Sequence, residues 1–200
     1  MEPETRTVIP SREPAALRKW LRARLLERTL RRIPRDEQVL DLCCGYGFYF
    51  SINPRASGID GDPRAVAAMR QKGYDVHLGN VLDTLPYADH RFRWVVAHDV
   101  LEHFAFDELE RLIPEVQRVL APGGRFLIIV PNRKGYDFGV RIGIGHKLFV
   151  TGQEVETLSR GRFELEARYP EPLPRWLGRF FTHNKEVFLL RKPDPGPTLW

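Results

Sequence analysis

The chain has 200 residues, 42% of them hydrophobic and 28% charged, which suits one domain with a single core and leaves no room for a second full one. At this length a chain buries roughly 70% of the surface its unfolded form exposes, so no metal clip or disulfide framework is required and disorder as the main state is excluded. The formal net charge is +5, and the longest apolar run, Phe126–Pro131, falls far short of the ~20 residues that span a bilayer. Glu2 and Glu4 stand where a secretory signal would be basic, and Cys43 and Cys44, the only thiols, are sequence neighbours. Reduced cysteines and a cytoplasmic location are the expectation.

In chain order, the first feature is a basic segment. Residues 11–35 hold nine basic side chains, from Arg12 to Arg35, against Glu13 and Glu27, a local excess of +7. Leu17, Trp20, Leu21 and Leu25 recur at helical spacing, so residues 1–36 are expected to contribute an amphipathic helix with an arginine-rich outer face. Such a face serves equally as a solvated surface or as a handle for nucleic acid or an anionic membrane surface.

From residue 37 short apolar runs alternate with helix signals. Val39–Cys43, Ala56–Ile59, Tyr74–Leu78, Phe92–Ala97 and Arg125–Val130 are buried strand candidates. Asp62 before Pro63 marks a helix N-cap, and Gly73 stops that helix. Leu109, Leu112, Ile113, Val116 and Leu120 share one face of a helix over 107–120, interrupted by Pro114. Pro122-Gly123-Gly124 turns the chain into the fifth strand. Strands alternating with helices predict a parallel sheet covered on both faces.

Thr151 with Glu154 is a capping box opening a short helix that Gly161 ends. Phe163, Leu165, Ala167 and Tyr169 alternate as in an edge strand, whereas Val187–Leu190 is continuously apolar. An aromatic, proline-rich link, residues 170–181, joins them. The expected organisation is the basic segment 1–36, one domain over 37–192, and a flexible tail over 193–200.

Asp41-Leu42-Cys43-Cys44-Gly45-Tyr46-Gly47 runs a strand into a glycine turn, where the backbone approaches a ligand closely and a helix N-terminus favours an anionic group. A dinucleotide fingerprint needs a third small residue where Phe50 stands, which argues against pyrophosphate. Asp60 ends the second strand, 13 positions past Gly47. An acid there accepts hydrogen bonds from both ribose hydroxyls, while Asp62 serves as the helix cap. Turn and acid together describe an adenosine joined to something other than pyrophosphate.

Five segments in order, VLDLCCGYG (39–47), GID (58–60), GNVLDTLPY (79–87), FRWVVAHDVLEH (92–103) and RVLAPGGRFLIIVPN (118–132), resemble the class I S-adenosylmethionine-dependent methyltransferases. Within them the pattern is similar to the quinone-biosynthesis and related small-molecule branch. The resemblance implies an α/β fold, a Rossmann-like doubly wound, mostly parallel seven-stranded sheet with helices on both faces, and S-adenosylmethionine as cofactor. It implies a cofactor site of Asp41, Gly45, Tyr46, Gly47, Asp60, Gly61, Asn80, Val81 and His98, with the Asn80 side chain at the adenine amine, the Val81 backbone at the ring and His98 beside the methionine end. Three departures stand out. The stretch from Gly47 to Asp60 is about a turn short and broken by Asn53-Pro54, so its helix is expected to be stunted. Asn80 replaces a commoner aspartate, and Arg93 replaces an acid.

Methyl transfer is an in-line displacement that needs positioning, and a base only when the nucleophile must lose a proton. The resemblance places the acceptor over the segment 132–146, a glycine-containing loop on its composition. Tyr136 and His146 are the catalytic candidates, with Arg141 a third acceptor-side residue. The run His98–His103 has the wrong spacing for an inverted zinc signature, and no cysteine or distant acid completes a site, so no metal is assigned. The leading function is methylation of a small phenolic, quinone-like or lipid-precursor acceptor. The alternatives are an RNA or protein methyltransferase using the basic helix and a non-catalytic cofactor-binding regulatory module.

Overall fold

The computed structural model describes residues 29–171, 173, 176, 179 and 184–194. Most of the expected basic helix, most of the aromatic link and the tail beyond 194 lie outside the described residues. Among the described residues no helix is long and apolar enough to cross a membrane.

Seven strands form one sheet: β1 (Val39–Leu42), β2 (Ser57–Asp60), β3 (Asp75–Leu78), β4 (Phe92–His98), β5 (Leu120–Pro131), β6 (Glu164–Glu171) and β7 (Lys185–Arg191). Their spatial order is β3-β2-β1-β4-β5-β7-β6. The first five are mutually parallel, and β7 runs antiparallel to both β5 and β6. Strand order reverses between β1 and β4, and in an open α/β sheet the crevice at the carboxyl ends of such a pair is where a ligand binds.

The helices are α1 (Pro63–Gln71), α2 (Phe106–Val119), α3 (Arg133–Arg141) and α4 (Gly152–Ser159). Asp62 caps α1, its carboxylate accepting from the Arg64 N–H at 2.9 Å, as the Asp-Pro pair predicts. The Thr151–Glu154 capping box starts α4. Pro114 lies inside α2, so the helix gives up one backbone hydrogen bond there. Its inward face compensates: Leu109, Leu112, Ile113 and Val116 are at most 2% exposed and pack with Val155 and Leu158 of α4 against one side of the sheet. Val66 and Met69 of α1 pack with Tyr49 and Phe50 against the other side.

Two local features depart from or sharpen the sequence pattern. Between β1 and β2 the expected stunted helix is only a 3-10 turn, Tyr49–Ser51. The segment 133–141, a loop on its glycine content, is helical because the Asn132 side chain accepts from the Gly135 N–H at 2.8 Å and supplies an N-cap. The glycine within that helix is needed for packing: a Cβ on Gly139 would come within 2.1 Å of the His146 ring.

Candidate active site

After β1 the chain turns through Cys43 (φ 50°), Gly45 (φ 51°) and Gly47 (φ 81°), all in left-handed backbone. The Asp60 carboxylate at the tip of β2 holds this turn. One oxygen accepts from the Gly45 N–H at 2.7 Å and the other from the Asp62 N–H at 2.8 Å. Each carboxylate oxygen has a second lone pair, so the group can still accept from ribose hydroxyls. Asp41 lies beneath, 4% exposed, its pKa well above the usual carboxylate range because of burial first and the Asp60 charge second.

The two glycines serve different purposes. A Cβ on Gly45 would meet nothing within 4 Å, so that position borders open space. A Cβ on Gly47 would come within 2.0 Å of Met69 Cε, so that glycine lets α1 close on the turn. An open cradle above Gly45, a carboxylate at the β2 tip and left-handed backbone between them suit a molecule with an amino-acid end and a ribose. Tyr46 beside it is 40% exposed.

At the end of β3, Asn80 is exposed and its Oδ1 accepts from the Leu82 N–H at 3.1 Å, with one lone pair remaining for an adenine amine. Val81 is buried at 3% while Leu78 is 53% exposed, an apolar surface beside the polar Asn80. Gly61 is exposed in the same rim. His98 ends β4 with its ring 5.4 Å from Phe48 and Nε2 3.6 Å from Asp99 Oδ2. Arg93, the departure from an acid, donates to the Pro122 carbonyl at 2.9 Å, at the opposite end of β4 from the site.

Beyond β4, on the side where the sequence resemblance places the acceptor, lies a largely buried charged cluster. Asp99 (φ 54°) follows β4 and forms an ion pair with Lys185 of β7. Glu102 is 1% exposed, and its Oε1 is 4.0 Å from Nε2 of His146. His146 Nδ1 lies 3.0 Å from the Tyr136 carbonyl, and His103 Nδ1 lies 3.3 Å from the Gly145 carbonyl. A carbonyl only accepts, so these bonds assign the proton of each neutral ring to Nδ1 and leave Nε2 with its lone pair. Tyr136 stacks on His146 at 5.3 Å and 19°. Arg141, the third acceptor-side candidate, is instead exposed at the end of α3 with its guanidinium 5.3 Å from the Phe138 ring.

Chain order conceals that three of these residues meet. Glu102, His103 and His146 each place a ligand atom within 4.8 Å of the others, a donor set a divalent cation could use. His146 stands 43 positions beyond His103 in the sequence. Lys185 was not among the candidates. Its signal is a lysine at the start of an apolar strand, where burial demands a counter-charge.

Burial, then the Asp99 charge, pushes the Glu102 carboxyl up to about 8, while Lys185 opposes the shift. The folded state therefore holds this proton more tightly than the unfolded state. The stability so gained is full below the ordinary glutamate range and is lost as pH rises towards 8. Melting temperatures of wild type and Glu102→Gln measured from pH 5 to 8 should diverge, with the wild type falling more steeply. Parallel curves would mean that Glu102 is already ionised in the folded protein. Because the comparison is a difference, Asp41 and the neutral His103, whose pKa burial lowers, contribute to both proteins.

The sheet order, the glycine turn after β1 and the acid at the tip of β2 are the arrangement that the sequence resemblance implies for a class I S-adenosylmethionine-dependent methyltransferase domain. Residues 40–128 match the family described as "Methyltransferase domain". A probable tRNA methyltransferase 9B of Mus musculus is 36% identical over 95 residues, 46% of this chain and 21% of that protein. A probable S-adenosylmethionine-dependent methyltransferase of Mycolicibacterium smegmatis is 36% identical over 101 residues, 48% of this chain and 38% of that protein. The chain thus spans well under half the length of these curated relatives. A Haloferax volcanii methyltransferase solved in complex with the Trm112 activator superposes with a TM-score of 0.70 at 18% identity, over 89% of this chain and 95% of that one. At that identity the likeness is one of fold.

Proposed function

We propose that the protein transfers a methyl group from S-adenosylmethionine to a proton-bearing heteroatom of a small acceptor seated over the carboxyl ends of β4 and β5. The observation that carries this reading is the buried pairing of His146 with Glu102 at the same end of the sheet as the glycine turn. The cofactor, when bound, supplies a methyl on a positively charged sulfur, so the chain has to align the nucleophile and accept its proton. Asp60 and the Gly45 turn hold the ribose and the amino-acid end, Asn80 and Val81 the adenine, and His98 borders the methionine end.

The 4.0 Å between His146 Nε2 and Glu102 Oε1 is too long for a direct hydrogen bond. An acceptor oxygen can bridge it with bonds of ~2.8 Å to each. In that position its proton passes to Nε2, and the Tyr136 carbonyl stabilises the Nδ1–H of the imidazolium formed. His146 is nearly covered, and Gly143 (φ 69°) and Gly145 (φ 83°) just before it provide the backbone freedom for the segment to open and close over an acceptor.

His146→Ala and His146→Gln should lower turnover by ~10²-fold or more while leaving S-adenosylmethionine affinity within about twofold. Calorimetry gives the affinity, and release of S-adenosylhomocysteine with a panel of phenols and quinols gives turnover. Unchanged turnover in both variants discards the base. Failure of the wild type to bind S-adenosylmethionine discards the whole reading.

A second reading, an RNA acceptor, is supported by the tRNA methyltransferases among the relatives and by the arginines of residues 11–35. Methyl transfer to tRNA transcripts that weakens steeply with salt would favour it. Cofactor binding with no turnover on either acceptor class would leave a regulatory module.

A further inference from the structure

A cavity of about 330 Å³ opens at the carboxyl end of β5, beside the buried cluster, and its wall carries Arg133, Arg168 and Arg179 against a single carboxylate, Glu186. We infer that this cavity is an anchoring subsite for a phosphate group of the acceptor. The inference rests on the methyl-transfer reading and specifies its substrate class. Its volume is at the low end of the ~300–1,000 Å³ typical of small-molecule sites.

The positive groups converge from separate parts of the fold. Arg133 opens α3, Arg168 stands on β6, and Arg179 comes from the link between β6 and β7. The Arg168 guanidinium lies on the first turn of α4, where a Cβ on Gly152 would come within 2.1 Å of Nη1. A cation against a helix N-terminus is electrostatically unfavourable. Two of the guanidiniums also have carboxylate neighbours. Glu186 is 3.6 Å from Arg168, Asp137 pairs with Arg133 outside the wall at 2.9 Å, and the Glu154 carboxylate is engaged by the Thr151 N–H at 2.9 Å. A dianion seated between the three guanidiniums would accept hydrogen bonds from more than one of them, and the planar forks of arginine suit its oxygens.

Aromatic contacts connect the cavity to the reacting end. Phe149 lines the cavity with Arg133 5.1 Å above its ring. Phe149 is also 5.4 Å from Tyr136, which stacks on His146. A phosphate held here therefore leaves an attached ring or chain one aromatic layer from His146 and Glu102. Polar wall groups on the far side are committed elsewhere: the Asn184 side chain is bonded to both the N–H and the carbonyl of Leu173.

The test uses the full chain without acceptor. Titration with inorganic phosphate and with phenyl phosphate, followed by calorimetry and amide NMR shifts, should saturate at about 1 mM or below, phenyl phosphate binding more tightly. Arg168→Gln and Arg179→Gln should each weaken both by about tenfold. Arg125→Gln, which alters a surface pair with Glu166, should change neither. Equal weakening in all three variants, or no saturation, would overturn the subsite in favour of general counter-ion attraction. Should Arg168→Gln unfold, Arg179→Gln and Arg133→Gln decide the matter alone. Competition by a short RNA, absent in Arg179→Gln, would make the source of the phosphate a nucleic-acid backbone; competition by phosphomonoesters alone would make it a small acceptor. S-adenosylmethionine affinity is measured on the same samples, so loss of the cofactor reading and loss of the phosphate subsite appear as separate results.

Discussion

Gly47→Val should unfold the protein or destabilise it by roughly 3 kcal/mol or more, whereas Gly45→Val should stay folded and lose S-adenosylmethionine binding. Both positions have positive φ, which costs a side chain about 1–3 kcal/mol. Only Gly47 adds a collision, because Met69 Cε and Sδ lie 2.0 and 2.6 Å from the Cβ it would gain. Met69 is 1% exposed, so its thioether end can move only by repacking within the core. At Gly45 the new side chain projects into open space, where the amino-acid end of the cofactor is proposed to lie. Chemical denaturation and calorimetry on the two variants separate these outcomes. Gly47→Ala combined with Met69→Ala should cost less than the sum of the single changes, since the second removes the atoms the first meets. Equal stabilities for Gly45→Val and Gly47→Val would contradict the packing described for α1.

Lys185→Met should destabilise the fold by about 3–5 kcal/mol, the usual cost of leaving a buried charge without its partner. The Lys185 side chain is 7% exposed and forms an ion pair with Asp99, and its charge also lowers the pKa of Glu102. Without it the half-buried Asp99 and the buried Glu102 carboxyl groups lose their nearby cation, and proton uptake is favoured. Asp99→Asn should recover part of the loss in the double variant, because it removes a charge that Lys185 would otherwise balance. Denaturant midpoints for the four proteins in this cycle measure the coupling. A single-variant loss below ~1 kcal/mol would show that the pair contributes only as a surface ion pair does.

The strands and caps were legible because their causes are local. Asp62-Pro63, the Thr151–Glu154 pair and the apolar runs of β1, β4 and β5 each carry their signal within a few residues. The turn proposed to hold the cofactor was legible for a related reason: Gly45 after β1 and Asp60 at the tip of β2 lie 15 positions apart on adjacent parallel strands. The helix at 133–141 was not, because glycines at 135 and 139 weaken helix propensity, and only the Asn132 cap and the close packing of His146 on Gly139 reveal why they are there. Arg141 ends that helix exposed, with its guanidinium 5.3 Å from the Phe138 ring.

What the sequence determined by itself is the order of the strands and of the other helices, the glycine turn and the acid at the β2 tip, which follow from periodicity and short-range turn chemistry, while the family was a resemblance carried by five quoted segments. What only the tertiary structure decided is the meeting of Glu102, His103 and His146, the Lys185–Asp99 pair and the arginine-lined cavity. Those groups are brought together by the reversal of strand order at β1 and β4 and by β7 inserting antiparallel between β5 and β6. Such pairings depend on sheet register across the whole chain, with Pro131 set beside Lys185, and no local pattern encodes a register between strands more than fifty residues apart.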